Sequence, residues 1–185
     1  MGKGLKIFLA AVAIVAVMSG VYYNRLVNLR EGVTASWAQV ENVMQRRYDL
    51  IPNLVNTVKG YAKHERKLLS DIARLRSQWA GATTPADKAK ASTSLEGSLG
   101  RLMVVLENYP ALKANEGFLK LQDELAGTEN RISVERMRYN EAVRSYNMAI
   151  QRFPGNLVAG PLGFAKVDSY FQADKEAAKA PKVEF

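Results

Sequence analysis

The sequence predicts an all-α protein, with an N-terminal transmembrane helix followed by an antiparallel bundle of about four long helices, kinked or broken near Pro52. Three observations lead there. Residues 7–23, IFLAAVAIVAVMSGVYY, carry no charge. From Leu26 onward, apolar residues recur at steps of three and four, the period of an amphipathic helix. A third series, from Phe118 to Phe153, keeps that rhythm for ten steps without a miss.

The apolar run comes first. Seventeen residues of helix rise ~25 Å, the short end of what spans a hydrocarbon core of ~30 Å, and Leu5 with a snorkelling Lys6 extends it. Tyr22 and Tyr23 fall where an interfacial aromatic belt belongs. A cleaved signal peptide shares the basic start and apolar run, but no Ala-x-Ala site follows, which favours an uncleaved anchor over residues 1–23. Lys3, Lys6 and the amino terminus precede the run, and Arg25 and Arg30 follow it closely. The positive-inside rule therefore leans narrowly toward an N-terminus inside and the bulk of the chain outside.

The next series runs Leu26, Leu29, Val33, Trp37, Val40, Met44, Tyr48, Ile51. It continues past Pro52 as Leu54, Val58, Tyr61, Glu65, Leu68, Ile72, Leu75, Trp79, with only Glu65 off pattern. Proline removes one donor and crowds the carbonyl four residues back, so a kink is expected at 48–52. A full break, giving helices over 24–50 and 53–80, is the alternative. Thr84 before Pro85 caps the next helix, whose apolar residues run from Leu95 to Leu106 and stop at NYP, residues 108–110. The last long helix averages 3.5 residues per step, a coiled-coil-like seam, and FPG at 153–155 ends it. The bundle thus occupies 24–153. Residues 154–185 are an apolar segment without a clean period, followed by a polar tail expected to be mobile.

Charge and composition narrow the function. The net charge of +8 is concentrated early: residues 1–23 contribute +2 and residues 24–80 contribute +5. The basic excess lies beside the anchor and suits anionic headgroups. With no cysteine and one histidine, disulfides, thiolate metal sites and two-histidine motifs are excluded. Five acidic residues dilute the basic ones in 24–80, which disfavours nucleic acid. The glycines at 155, 160 and 163 form no phosphate-binding motif and read as flexible punctuation. His64 and Glu65 invite an acid–base role, but no activated serine accompanies them, so a hydrogen-bonded histidine at a helix edge is expected. Neither an enzyme nor a cofactor is expected.

The remaining candidates concern interaction. Arg46, Arg47 and Asp49 could hold a phosphate or an anionic lipid; the alternative is a solvated face with an Arg–Asp pair. On an upright helix Arg47 stands ~36 Å beyond Tyr23, far outside a Debye length of ~8 Å, so lipid contact there requires the domain to lie down. Tyr139–Asn140 and Tyr146–Asn147 are one heptad apart and echo YNRLV at 23–27, which reads as register-setting contacts between the first and last helices. Phe164 and Phe171 mark the apolar segment 156–171, a candidate to dock on a neighbouring subunit or to dip into the membrane interface, with burial within the chain's own bundle as the alternative. The last residues, KVEF, have the form that β-augmentation domains capture.

The stretches ENVMQRRYDLIPNLVNTVKGYAKHE, NYPALKANEGFLKLQDELAGTENRISVERMRYNEAVRSYN and FPGNLV resemble the LemA family of bacterial membrane proteins, from Tyr23 to about Phe171. LVAGPLGFAKVDSYF departs from that family's usual unbroken apolar segment. The resemblance implies a single membrane helix, a bacterial cytoplasmic-membrane location, an antiparallel bundle of about four helices and no known catalytic residues. Gene neighbourhoods in the family hint at membrane metalloproteases as partners. Two functions follow as expectations. One is a self-associating, homo-oligomeric scaffold or membrane-shaping protein with the lipid bilayer as its partner. The other is an adaptor for a membrane protease or other envelope protein.

Overall fold

A computed structural model describes residues 2–171, and every regular element among them is helical. The order is α1 (Lys3–Tyr61), α2 (Arg66–Gly81), α3 (Pro85–Leu106), a single turn α4 (Pro110–Lys113), α5 (Glu116–Gln151) and a short α6 (Gly155–Ala159). Cross-links fix the directions. Trp79 of α2 meets Tyr48, while Glu65 before α2 meets Tyr109 after α3, so α2 runs back along α1. Lys88 pairs with Glu41 and Glu96 lies near Arg47, so α3 runs with α1. Arg47 pairs with Glu129 and Trp37 packs on Tyr139, so α5 returns antiparallel to α1. Four long helices therefore alternate up and down, as the periodicity requires.

The apolar stripes meet in one core. Met44, Tyr48, Ile51 and Leu54 of α1 are closed off by Ile72 and Trp79, Leu95 and Leu102, and Phe118 and Ile132 from the other three helices. The α5 seam faces inward: Phe118, Leu125, Thr128, Ile132, Tyr139 and Tyr146 are all buried. The long seam is thus largely consumed within the chain. Two side-chain caps start helices where the sequence indicates. The Thr84 hydroxyl accepts from the Asp87 amide at 3.1 Å, and the Asn115 carbonyl oxygen accepts from the Phe118 amide at 3.0 Å.

Of the two readings at Pro52, the structure excludes the full break. The helix passes through Pro52 without a break and reverses ten residues later, at 62–65. Pro52 leaves the Tyr48 carbonyl without its helical donor, and Arg76 of α2 supplies a replacement, its Nε donating to that oxygen at 3.0 Å. The reversal coincides with Glu65, the one residue that broke the apolar stripe. Glu65 is the N-cap residue of α2 and accepts from the Tyr109 hydroxyl at 3.1 Å. His64 is exposed in the turn, not at a helix edge.

α1 is 59 residues long, ~88 Å at helical rise. Only its second half belongs to the four-helix bundle. Residues 2–18 are exposed throughout, and this is the one helix among the described residues long and apolar enough to cross a membrane. Between that stretch and the bundle, α1 and α5 continue as a two-helix stalk.

Candidate membrane-proximal interaction site

The stalk has a groove between α1 and α5, and the chain fills it with its own C-terminal segment. After α6, residues 164–171 run back along α5 as a strap without regular structure. Two asparagines hold it. The Asn147 amide donates to the Val167 carbonyl at 2.7 Å, and its oxygen accepts from the Val167 N–H at 3.0 Å. Asn140 repeats the pattern on Phe171, at 2.8 Å and 3.0 Å. Each side chain thus satisfies both backbone groups of one strap residue, as a neighbouring β-strand would. The Tyr146 hydroxyl adds a bond to the Ala165 carbonyl at 2.9 Å, and Asn147 also reaches the Tyr170 hydroxyl at 2.9 Å.

The spacing suits the task. One heptad of helix rises ~10.5 Å, and four residues of extended chain span at most ~13 Å. Successive Tyr-Asn pairs can therefore grip Val167 and Phe171 with a small bend between them. The heptad echo places both pairs on one face, as its spacing implies. Their amides bond the strap, however, and not the first helix, because α5 meets α1 through the neighbouring seam positions.

Aromatic contacts close both ends. Phe171 stacks on Trp37 at 5.8 Å, Tyr139 meets both rings edge-on at 5.7 and 5.4 Å, and the Arg136 guanidinium lies 4.9 Å over Phe171. At the membrane-proximal end Phe164 packs edge-on against Tyr23 at 5.7 Å, with the Arg30 guanidinium 5.3 Å over its ring. Burial raises the hydroxyl pKa of both Tyr139 and Tyr146; for Tyr146 the charge of Arg30 opposes the shift in part. Both phenols are neutral throughout the physiological range, and that of Tyr146 donates to the strap.

Six of the sequence candidates, Tyr139, Asn140, Tyr146, Asn147, Phe164 and Phe171, thus meet in one groove. Arg46 and Arg47 lie elsewhere. Arg46 is exposed on the bundle, whereas Arg47 is buried and pairs with Glu129 of α5. Glu96 lies 3.8 Å from Arg47 and is bound by Arg136, which also donates to Ser92 at 2.8 Å. The expected Arg–Asp pair on a solvated face does not form: Asp49 accepts from Gln45 instead, at 2.8 Å. Arg47 lies three residues after buried Met44 and four before Ile51, and Glu129 likewise flanks Leu125 and Ile132. Those positions carried the signal for a buried pair. Tyr48 beside it has its hydroxyl pKa pushed up to about 12, chiefly by burial and partly opposed by a hydrogen bond with Ser92.

Below the strap lies a second feature. Val15, Met18 and Tyr22 of α1 and Phe153, Leu157 and Leu162 of the α6 region line an apolar groove of about 480 Å³. Gly155 makes the turn into α6. A Cβ there would sit 2.0 Å from the Ala149 carbonyl oxygen, so the chain can fold back onto the end of α5 only with glycine. Gly155 is a close-approach position and not flexible punctuation. The polar tail and KVEF lie outside the described residues.

Sequence reasoning missed the strap, although its signal was present. Val167, Ser169 and Phe171 are half-buried while Lys166, Asp168 and Tyr170 are exposed, a period of two within a segment that has no helical period. Trp37 and Arg136, which close its end, were legible only as stripe and surface.

A model of the LemA family matches residues 36–185. Magnetosome protein MamQ 2 of Paramagnetospirillum magneticum is 30% identical over 94% of this chain and 72% of its own length. Magnetosome protein MamQ of Magnetospirillum gryphiswaldense is 27% identical over 98% of this chain and 77% of its own. That coverage leaves room for only a handful of unmatched residues, so the apolar N-terminal stretch falls within the similarity. Protein LemA of Metamycoplasma hominis is 26% identical over 82% of this chain and 69% of its own.

Proposed function

The chain belongs to the LemA family, and from that premise we propose that it is a non-enzymatic, single-pass membrane protein that self-associates as a scaffold or membrane-shaping post. The observation that carries this reading is the continuity of α1 from Lys3 to Tyr61. A module merely tethered to a bilayer uses a linker, so that its orientation is independent of the anchor. Here the membrane-crossing stretch and the first bundle helix are one rod. The 38 residues from Tyr23 to Tyr61 make a lever of ~57 Å, so a tilt of roughly 10° in the span moves the bundle tip by ~10 Å. Posts that associate side by side would impose a common tilt on their spans, a direct mechanical route to shaping a bilayer.

Other features support the same reading. Buried Arg47 and the half-buried Glu96, Glu129 and Arg136 around it are joined in one set of ion pairs. The magnetosome proteins share this chain across span and bundle alike, which supports a role that uses both together. Because the α5 seam is buried within the chain, association is assigned to the span and the membrane-proximal surface.

The test is the mass of the full-length protein against a fragment starting at Asn24, by light scattering in mild detergent and then in lipid. The expected result is a large, discrete assembly for the full chain alone. A monomer or dimer in both forms would rule out the scaffold.

A further inference from the structure

The groove beneath the strap has walls of a particular kind. One wall is the last two turns of the membrane-crossing stretch, and the other is the α6 region. From Phe153 to Ala165 the chain has no charged residue, and it is bracketed by exposed Arg152 and Lys166. Phe153 is 77% exposed, Leu157 63% and Leu162 43%, so three large apolar side chains of this segment are open while Phe164 alone is packed inward. An isolated exposed leucine is unremarkable, but three around one turn beside a bare apolar helix form a patch.

The level of the patch decides what covers it. Val15, against which it sits, is eight residues before Tyr23, ~12 Å deeper along α1. If Tyr22 and Tyr23 lie at the headgroups, the patch lies within that leaflet, close to the ~5–10 Å depth of interfacial amphipathic segments. Arg25 and Arg152 then stand at headgroup level, where anionic phosphates complement them.

Part of the backbone is bonded internally as well. The N–H groups of Asn156, Leu157, Leu162, Gly163 and Phe164 are bonded to carbonyls within 152–160. Pro154 and Pro161 have no N–H to satisfy. A segment entering lipid must satisfy its own backbone, since no water is there to do so.

We propose that residues 153–164 form a second membrane contact, an apolar foot that inserts beside the span into the leaflet facing the bundle and binds its acyl chains. The inference rests on α1 crossing the bilayer and adds a one-sided wedge to it. Bulk is inserted into one leaflet only and on one side of the helix. The foot also anchors the strap, because Phe164 ends the foot and begins the run held by Asn147 and Asn140. A bilayer contact is thereby joined to the stalk without a free linker.

The absence of native cysteine makes the test direct. Leu157→Cys in the full-length protein is labelled with an environment-sensitive NBD fluorophore and reconstituted in phosphatidylcholine–phosphatidylglycerol vesicles. Quenching by lipids with nitroxide on a shallow acyl carbon is compared with quenching by aqueous iodide. Val12→Cys within the span and Lys113→Cys at the far end of the bundle are the references. The inference predicts that the 157 probe is quenched by the nitroxide lipid about as strongly as the 12 probe and is shielded from iodide, with the reverse at 113. A 157 probe open to iodide while the 12 probe is in lipid overturns the foot and leaves the span intact. A 157 probe shielded from both overturns it in favour of a second copy of the chain. If the 12 probe is itself open to iodide, the membrane-crossing reading fails, and the foot with it.

Discussion

Asn147→Leu releases the C-terminal strap while leaving the bundle folded. Leucine matches the asparagine in size, but it strands the Val167 N–H and carbonyl and one bond to the Tyr170 hydroxyl. Stranded backbone groups cost ~1–3 kcal/mol each when they stay buried. The strap instead opens to water, at a cost of about 3 kcal/mol in lost grip, so hydrogen exchange at the Val167 amide should accelerate ~150-fold. Asn147→Asp keeps the acceptor for the Val167 N–H but loses both donated bonds, and falls between. Asn140→Leu frees only the Phe171 end. If exchange at Val167 is unchanged in Asn147→Leu, the strap is held by its aromatic ends alone.

Arg76→Met lowers stability by about 2 kcal/mol, because it removes a charge-assisted bond to the Tyr48 carbonyl, which Pro52 has already deprived of its helical donor. For a chain of this size the melting midpoint should fall by about 4–8 °C. The decisive comparison is with Pro52→Ala. Alanine restores an N–H four residues after Tyr48, so in that background Arg76→Met should cost less than about 0.5 kcal/mol. Equal costs in the two backgrounds would mean that Arg76 contributes through packing on α1 and not through the carbonyl.

These two cases mark where the sequence was legible and where it was not. The helices, their number, the Thr84 cap and the inward face of α5 follow from local chemistry at period 3.6, and the structure agrees with each. Where α1 passes through Pro52, the carbonyl of Tyr48 finds its donor on a side chain 28 residues further along the chain, and no local rule contains that. The turn at 62–65 left a trace in Glu65, the single residue out of phase. The heptad-spaced Tyr-Asn pairs were legible as a shared face, yet not their partner, since an amide that mimics a β-ladder leaves no helical pattern in the strap it binds. Arg47 read as surface because its type outweighed its position. Its flanking stripe residues, and the matching position of Glu129, were the better guide.

Membrane span and bundle as one rigid rod fix the distance between a label in the span and one on the bundle. The direct measurement is the distance between spin labels at Val17→Cys and Gln45→Cys, by double electron–electron resonance on full-length protein in lipid nanodiscs, diluted with unlabelled protein so that only intramolecular pairs count. Both residues are exposed, and the interval avoids Pro52. Twenty-eight residues of unbroken helix predict a single narrow distribution near ~42 Å. A broad distribution, or one centred well below that, would mean a hinge between bilayer and bundle and would contradict the account.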